Sequence, residues 1–285
     1  MRYEAPGSVD EAVTLLADAN GAARVLAGGT DLLVQLRAGL ISPDVVINIK
    51  NISETQGITK DGDGFCIGAS VSGAEMGENE ALTSAWPGVV EGTELIGSTQ
   101  IQSRATMAGN LCNASPAADS VPALIAAGAT CTIVGPNGRR EALVADIPTG
   151  PGQTSLGNGE FVVNFKLPAR PANASDAYLR MIPRTEMDIA IVGAGVNLVL
   201  ASDGTCTEAC VVLGAVGPTT ITVADAAAAL IGSKVDDNAL AAVKNASSAA
   251  ATPIDDKRGT VEYRTKVAGV LAARAAAIAA DRARS

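Results

Sequence analysis

Residues 25–36 read VLAGGTDLLVQL: a short apolar run, two glycines, Thr30 and Asp31, then apolar residues at helical spacing. The stretch has close neighbours on both sides. Upstream, SVDEAVTLLADA (8–19) reads as a helix, with Ser8 as N-cap, Glu11 completing a capping box, and Ala12, Val13, Leu15 and Leu16 on one face. Downstream, TDLLVQLRAG ends at Gly39 and DVVINI (44–49) reads as a strand. Helix, strand, helix and strand in so short a span can bury their apolar faces only by folding back into a compact α/β unit.

The rest of the chain separates into two blocks. From about 55 to 170, GFCIGAS, TCTIVG and EFVVNFKLPAR read as strands, and Asp-Gly and Pro-Asn-Gly supply turns. The segment 72–97 reads as helix, broken at Gly77 and Pro87. ATMAGNLCNASPAADSVPALIAAGA reads as a small-residue loop running into a helix at Ala123–Ala127, and 171–185 reads as a linker or crossover. Beyond it lie a hairpin around Asp203-Gly204 and three alanine-rich helical segments at 224–231, 236–251 and 260–283. Strands followed by helices predict an α+β arrangement.

Composition removes whole classes of function. The formal charge is −9, which argues against a nucleic-acid groove or an anionic membrane surface. The N-terminus does not read as a signal peptide, and no apolar run is long enough for a membrane span, so a cytoplasmic location is expected. The 5 cysteines have scattered spacing and predict neither a disulfide framework nor a metal site. There is no histidine, which excludes histidine-based triads, histidine zinc sites and imidazole general bases. No catalytic residue is therefore assigned on this chain.

The loop AGGTDL fits two readings. Glycines let backbone N–H groups approach a phosphate, and the strand–turn–helix setting suits one. The loop carries neither the Lys of a P-loop nor a G-x-G-x-x-G string, so it is equally a plain corner capped by Thr30 or Asp31. A second segment, RATMAGNLCNASPAADS (104–120), shifts the balance toward a ligand. It is small and polar, with Thr106, Gly109 and Asn110 at one turn and Asp119 beyond.

AGGTDL at 27–32 and ATMAGNLCNASPAADS at 105–120 together resemble the paired flavin loops of the FAD-binding medium subunit of molybdenum hydroxylases, the carbon monoxide and xanthine dehydrogenase type. YEAPGSVDEAVTLLA, YLRMIPRTEMDIAIVGAGV and EYRTKVAGVLAARA are similar to further landmarks of that family, in the same order. The resemblance implies a two-part FAD-binding domain of the PCMH type, with a small α/β subdomain (1–55) and a larger mixed-sheet subdomain (56–170). A C-terminal domain (171–285), like that of the carbon monoxide dehydrogenase flavoprotein, would follow as antiparallel sheet plus three-helix bundle.

For the site, the resemblance implies that Val25, Leu26, Ala27, Gly28, Gly29, Thr30, Asp31 and Leu32 wrap the FAD diphosphate, with Thr106, Gly109 and Asn110 on its other side. Asp119 would bond sugar or ribityl hydroxyls, Ile96 and Val162 would line the adenine or ring end, and Arg180 would stand near the flavin. Ala108 departs from the family's paired glycine, and Gln102 and Ser103 differ from its commoner residues. FAD would be the chain's own cofactor, held non-covalently. The molybdenum cofactor and [2Fe–2S] clusters would sit on a large and a small partner subunit, in a dimer of heterotrimers. Electrons would pass from the [2Fe–2S] subunit to an external acceptor. The alternative is a stand-alone FAD-dependent oxidoreductase of the same FAD-binding fold.

Overall fold

The computed structural model describes residues 1–19 and 21–285. Strands β1 (Arg2–Glu4), β2 (Ala23–Leu26) and β3 (Val45–Asn48) form a parallel sheet in the order β1-β3-β2. Helix α1 (Val9–Asp18) begins at Ser8, whose hydroxyl accepts the Glu11 N–H. Glu11 reaches back to the Gly7 N–H rather than to Ser8, one residue short of a reciprocal capping box. Helix α2 (Leu32–Arg37) follows the glycine pair.

A second, antiparallel sheet has the order β4-β5-β10-β6-β7: β4 (Ile58–Asp61), β5 (Gly64–Gly68), β6 (Thr130–Gly135), β7 (Gly138–Leu143) and β10 (Phe161–Leu167). A short hairpin, β8 (Pro148–Gly150) and β9 (Gln153–Thr154), lies beside it. Between β5 and β6 run α3 (Gly73–Gly77), α4 (Glu80–Ala85), α5 (Pro87–Glu94), α6 (Thr99–Gln102), α7 (Met107–Cys112) and α8 (Ser120–Ala126). The chain breaks at Gly77 and Pro87, as proline at N1 and a helix-ending glycine dictate. One apolar core runs from Val9 and Ile47 through Ile67 and Leu124 to Phe165, so the first two sheets pack as a single body.

The third sheet, β11-β12-β13-β14, is antiparallel: β11 (Ala174–Met181), β12 (Val192–Leu200), β13 (Cys206–Gly214) and β14 (Ile221–Thr222). Helices α9 (Ala224–Leu230) and α11 (Val261–Arg284) cover one face, and α10 (Asp237–Ala250) packs on both of them. Val192, Ala194, Val196 and Leu198 of β12 point into that second core, at the period of two expected of a strand. The opposite face meets α8. There Gly195 lies so close that a Cβ would stand 2.7 Å from the Pro122 carbonyl oxygen.

Three expectations are corrected here. Residues 174–181, read as linker, form the edge strand β11. Its pattern is masked by Ser175 and Asp176, polar yet buried, with Asp176 satisfied by the Val89 N–H and by Arg170. The segment read as a loop before Ala123 holds α7, capped by the Thr106 hydroxyl on the Gly109 N–H (3.0 Å), and α8 starts at Ser120. Asp31, rather than Thr30, stands at the N-cap of α2, and its side chain makes no cap hydrogen bond. Among the described residues no helix is long and apolar enough to cross a membrane.

Candidate functional site

β2 and β3 are paired through Leu26 and Asn48, which aims the chain leaving β2 at the first turn of α7. The glycine pair makes that route possible. Gly28 runs against the second loop, where a Cβ would stand 1.9 Å from the Arg104 carbonyl oxygen. Gly29 has φ +81°, the left-handed region that glycine enters without steric cost. Among the described residues the backbone N–H groups of Gly28, Gly29 and Thr30 have no partner within the protein. Unpaired donors in a turn form an anion-binding concavity.

The two loops enclose a cavity of about 470 Å³. Val25, Ala27, Gly28, Gly29, Thr30, Asp31 and Leu32 line one wall, Thr106 and Gly109 a second, and Val162 of β10 a third. Ala108 also faces it, in α7 and with an ordinary negative φ, so its methyl adds no backbone strain. Gly109 is open on the cavity side: a Cβ there would meet only the Thr106 hydroxyl, at 3.2 Å. The lining thus combines free N–H groups with apolar Val162 and Leu156, in a volume with room for part of a small ligand.

The remaining expected residues lie elsewhere. Leu26 turns away from the cavity into the packing beneath Gly29. Asn110 turns from the cavity and accepts both the N–H and the hydroxyl of Ser120, tying α7 to the start of α8. Asp119, the next residue back, sits in a buried cluster with Tyr178 and Arg180 of β11. The Tyr178 hydroxyl donates to it at 3.0 Å and the Arg180 guanidinium at 2.9 Å. Arg180 also donates to the Leu95 carbonyl at 2.6 Å, beside the buried Ile96. Ile96, Asp119 and Arg180 thus form a second group, joined to the cavity through Asn110.

Burial raises a carboxyl in each of the two groups. Burial pushes the Asp119 carboxyl up to about 6, against the opposing pull of Arg180 and the Tyr178 hydroxyl. Desolvation raises Asp31 as well. Cys112, at the cavity wall, is pushed up to about 12 by burial and by Cys131, so its thiol stays protonated at neutral pH.

Several lining residues escaped the sequence reading. Gln35 donates to Asn113 at 3.0 Å, bridging α2 and α7 across the cavity. Helical spacing carries a signal for both, since Gln35 is four residues from Asp31 and Asn113 four from Gly109. Arg24, Glu160 and Phe161 flank expected positions on their strands or next to them. Lys50 donates to the Ala27 carbonyl from behind the loop at 3.0 Å, and nothing in the local pattern announces it.

Fold and site together define a two-part α/β body with a cavity between a glycine turn and α7, followed by a sheet-and-helix C-terminal part. The first part, residues 1–170, matches the family model described as the FAD binding domain in molybdopterin dehydrogenase. Residues 177–279 match the carbon monoxide dehydrogenase flavoprotein C-terminal domain. The chain is 31% identical over 283 residues to the carbon monoxide dehydrogenase medium chain of Afipia carboxidovorans, covering 99% of this chain and 98% of that one. A putative xanthine dehydrogenase FAD-binding subunit of Escherichia coli is 32% identical over 221 residues, covering 77% and 75%. A solved carbon monoxide dehydrogenase from Hydrogenophaga pseudoflava superposes with a TM-score of 0.94 at 32% identity, covering 99% of this chain and 98% of that one. The chain belongs to the FAD-binding medium subunits of the molybdopterin dehydrogenases, oxidoreductase flavoproteins of the carbon monoxide and xanthine dehydrogenase type.

Proposed function

We propose that this chain is the electron-transfer subunit of a molybdenum hydroxylase complex, taking electrons from a [2Fe–2S] subunit and delivering them to an external acceptor. The observation that carries the reading is the set of unpaired N–H groups on Gly28, Gly29 and Thr30, which line the same cavity as Ala108 and Gly109 of α7. Those groups suit the FAD diphosphate, with Thr106 and Gly109 opposite and Val25, Leu32 and Val162 against the apolar parts. Bound FAD supplies the redox chemistry; the protein supplies binding, orientation and charge. The Asp119–Tyr178–Arg180 cluster, with Ile96, would meet the ribityl and ring end. A neutral Cys112 thiol and the absence of histidine support non-covalent binding.

In this reading the division is 1–55, 56–170 and 171–285, the first two sharing one core. The partners are a large molybdenum-cofactor subunit and a small [2Fe–2S] subunit, in a cytoplasmic dimer of heterotrimers. The test is a titration of the flavin-stripped full chain with FAD, alongside the variant Gly109→Leu. Leucine is a good helix former, so the variant is expected to keep its melting temperature. Its side chain would fill the cavity and weaken FAD at least tenfold, about 1.4 kcal/mol. Equal affinities in variant and wild type would remove the cavity from the reading.

A further inference from the structure

The glycine loop has a back as well as a front. Behind it lies a polar cleft of about 610 Å³ that reaches Gly28, Lys50, Glu75, Ser103 and Arg104. Lys50 follows β3 in a short 3₁₀ turn and donates its ammonium to the Ala27 carbonyl. Among the described residues neither Lys50 nor Arg104 forms an ion pair. The acid in the cleft, Glu75, is engaged by the N–H and hydroxyl of Ser72. Two cations without a close ion-pair partner, and one carboxylate held by Ser72, therefore line the cleft behind the loop of a chain whose formal charge is −9.

The Ala27 carbonyl and the Gly28 N–H belong to one peptide. The chain has no cis bond among its described residues, so in this trans unit the two groups point in opposite directions. With the carbonyl held toward Lys50 and the rear cleft, the Gly28 N–H is directed to the other side, where Gly28 lines the cavity. An ammonium on a carbonyl draws electron density through the amide, and the N–H becomes a stronger donor.

We infer that Lys50 is a positioning residue that replaces, from behind, the lysine this loop lacks: acting through the Ala27–Gly28 peptide, it strengthens the Gly28 N–H toward a diphosphate in the cavity. The inference rests on the FAD reading above. It explains how an acidic loop with Asp31 in its wall can hold two phosphates without a cation on the loop itself. Arg104 contributes charge on the same side, and its guanidinium lowers the proton affinity of Lys50, after desolvation.

The experiment compares wild type, Lys50→Met and Lys50→Arg as flavin-stripped full chains, titrated calorimetrically with FAD, ADP and adenosine, with melting temperatures in parallel. Lys50→Met is expected to weaken FAD and ADP by about tenfold and to leave adenosine and the melting temperature unchanged, with Lys50→Arg restoring most of the loss. Higher salt should narrow the gap between wild type and Lys50→Met for ADP. Wild-type affinity of Lys50→Met for ADP overturns the inference while leaving the FAD reading intact. So does an equal loss for adenosine, which marks a collapsed loop rather than a missing charge. Failure of the wild-type chain to bind FAD or ADP overturns the FAD reading and this inference with it.

Discussion

Single residues here do different work from what their type suggests. Gly28 and Gly29 look like a pair serving a ligand, yet Gly28 is required by the Arg104 carbonyl and Gly29 by its positive φ. Gly29→Val is therefore expected to lose FAD and stability together, the latter by about 1–3 kcal/mol of backbone strain. Retained FAD in a melted-down but soluble variant would contradict the loop assignment. Gly109→Leu separates the two effects. Asp119 contributes to the pH dependence, as does Asp176, whose carboxyl burial likewise pushes up to about 6. The folded value of Asp119 is raised from 3.8 to about 6, so the unfolded chain releases its proton first as pH rises. Its contribution to stability is greatest in acid and declines across that interval by on the order of 1–3 kcal/mol. Urea midpoints followed from acid to neutral pH should fall more for wild type than for Asp119→Asn; parallel profiles would discount the effect. Asp119→Ala is expected to weaken FAD by about 1–3 kcal/mol, because it removes an acceptor for the ribityl hydroxyls and the group that holds Arg180 and Tyr178 in place for them. Titration of the variant with FAD checks this, and an unchanged affinity would take Asp119 out of the site.

At the scale of elements, close approach decides what propensity cannot. Gly269 lies inside α11, where alanine would ordinarily gain about 1 kcal/mol. Here a Cβ would stand 2.3 Å from the Lys244 carbonyl oxygen and 2.4 Å from the Ser248 hydroxyl of α10. The expected sign reverses, and Gly269→Ala should destabilise by about 1–3 kcal/mol in a denaturant melt. A stabilised variant would mean that α10 yields at the crossing. The alanine-rich helices themselves were plain in the sequence, since Ala279, Ala280 and Ala283 form a face that lets α11 settle on the sheet. Strand β11 was not, because buried Asp176 is satisfied by the Val89 N–H, 87 residues away, together with Arg170. Helix α7 was hidden by small residues that read equally as loop.

For the whole molecule, the shared core of the first two sheets and the sandwiching of the third between α8 on one face and α9 and α11 on the other join the site to the C-terminal part. Tyr178 and Arg180, on β11, complete a cluster whose carboxylate comes from α8's N-cap. Co-expression with the products of neighbouring genes is expected to yield a large and a small partner in equal proportion with this chain, with molybdenum and iron in the complex. A yellow chain that purifies alone from such co-expression would favour the stand-alone flavoenzyme.

Local chemistry was enough to determine the α/β start, the glycine turn after β2, the C-terminal helices and the absence of an imidazole acid–base group. Periodicity, caps and turns act within a few residues, and a chain with no histidine has none wherever it folds. Tertiary structure alone decided that Lys50 stands behind Ala27, that Gln35 meets Asn113, and that Asp119 is buried with Tyr178 and Arg180. The order β1-β3-β2 sets the end of β3 against the end of β2, and only that pairing carries Lys50 to the back of the loop. Charge acts through space, and spacing along the chain does not record which residues the sheets bring within reach of one another.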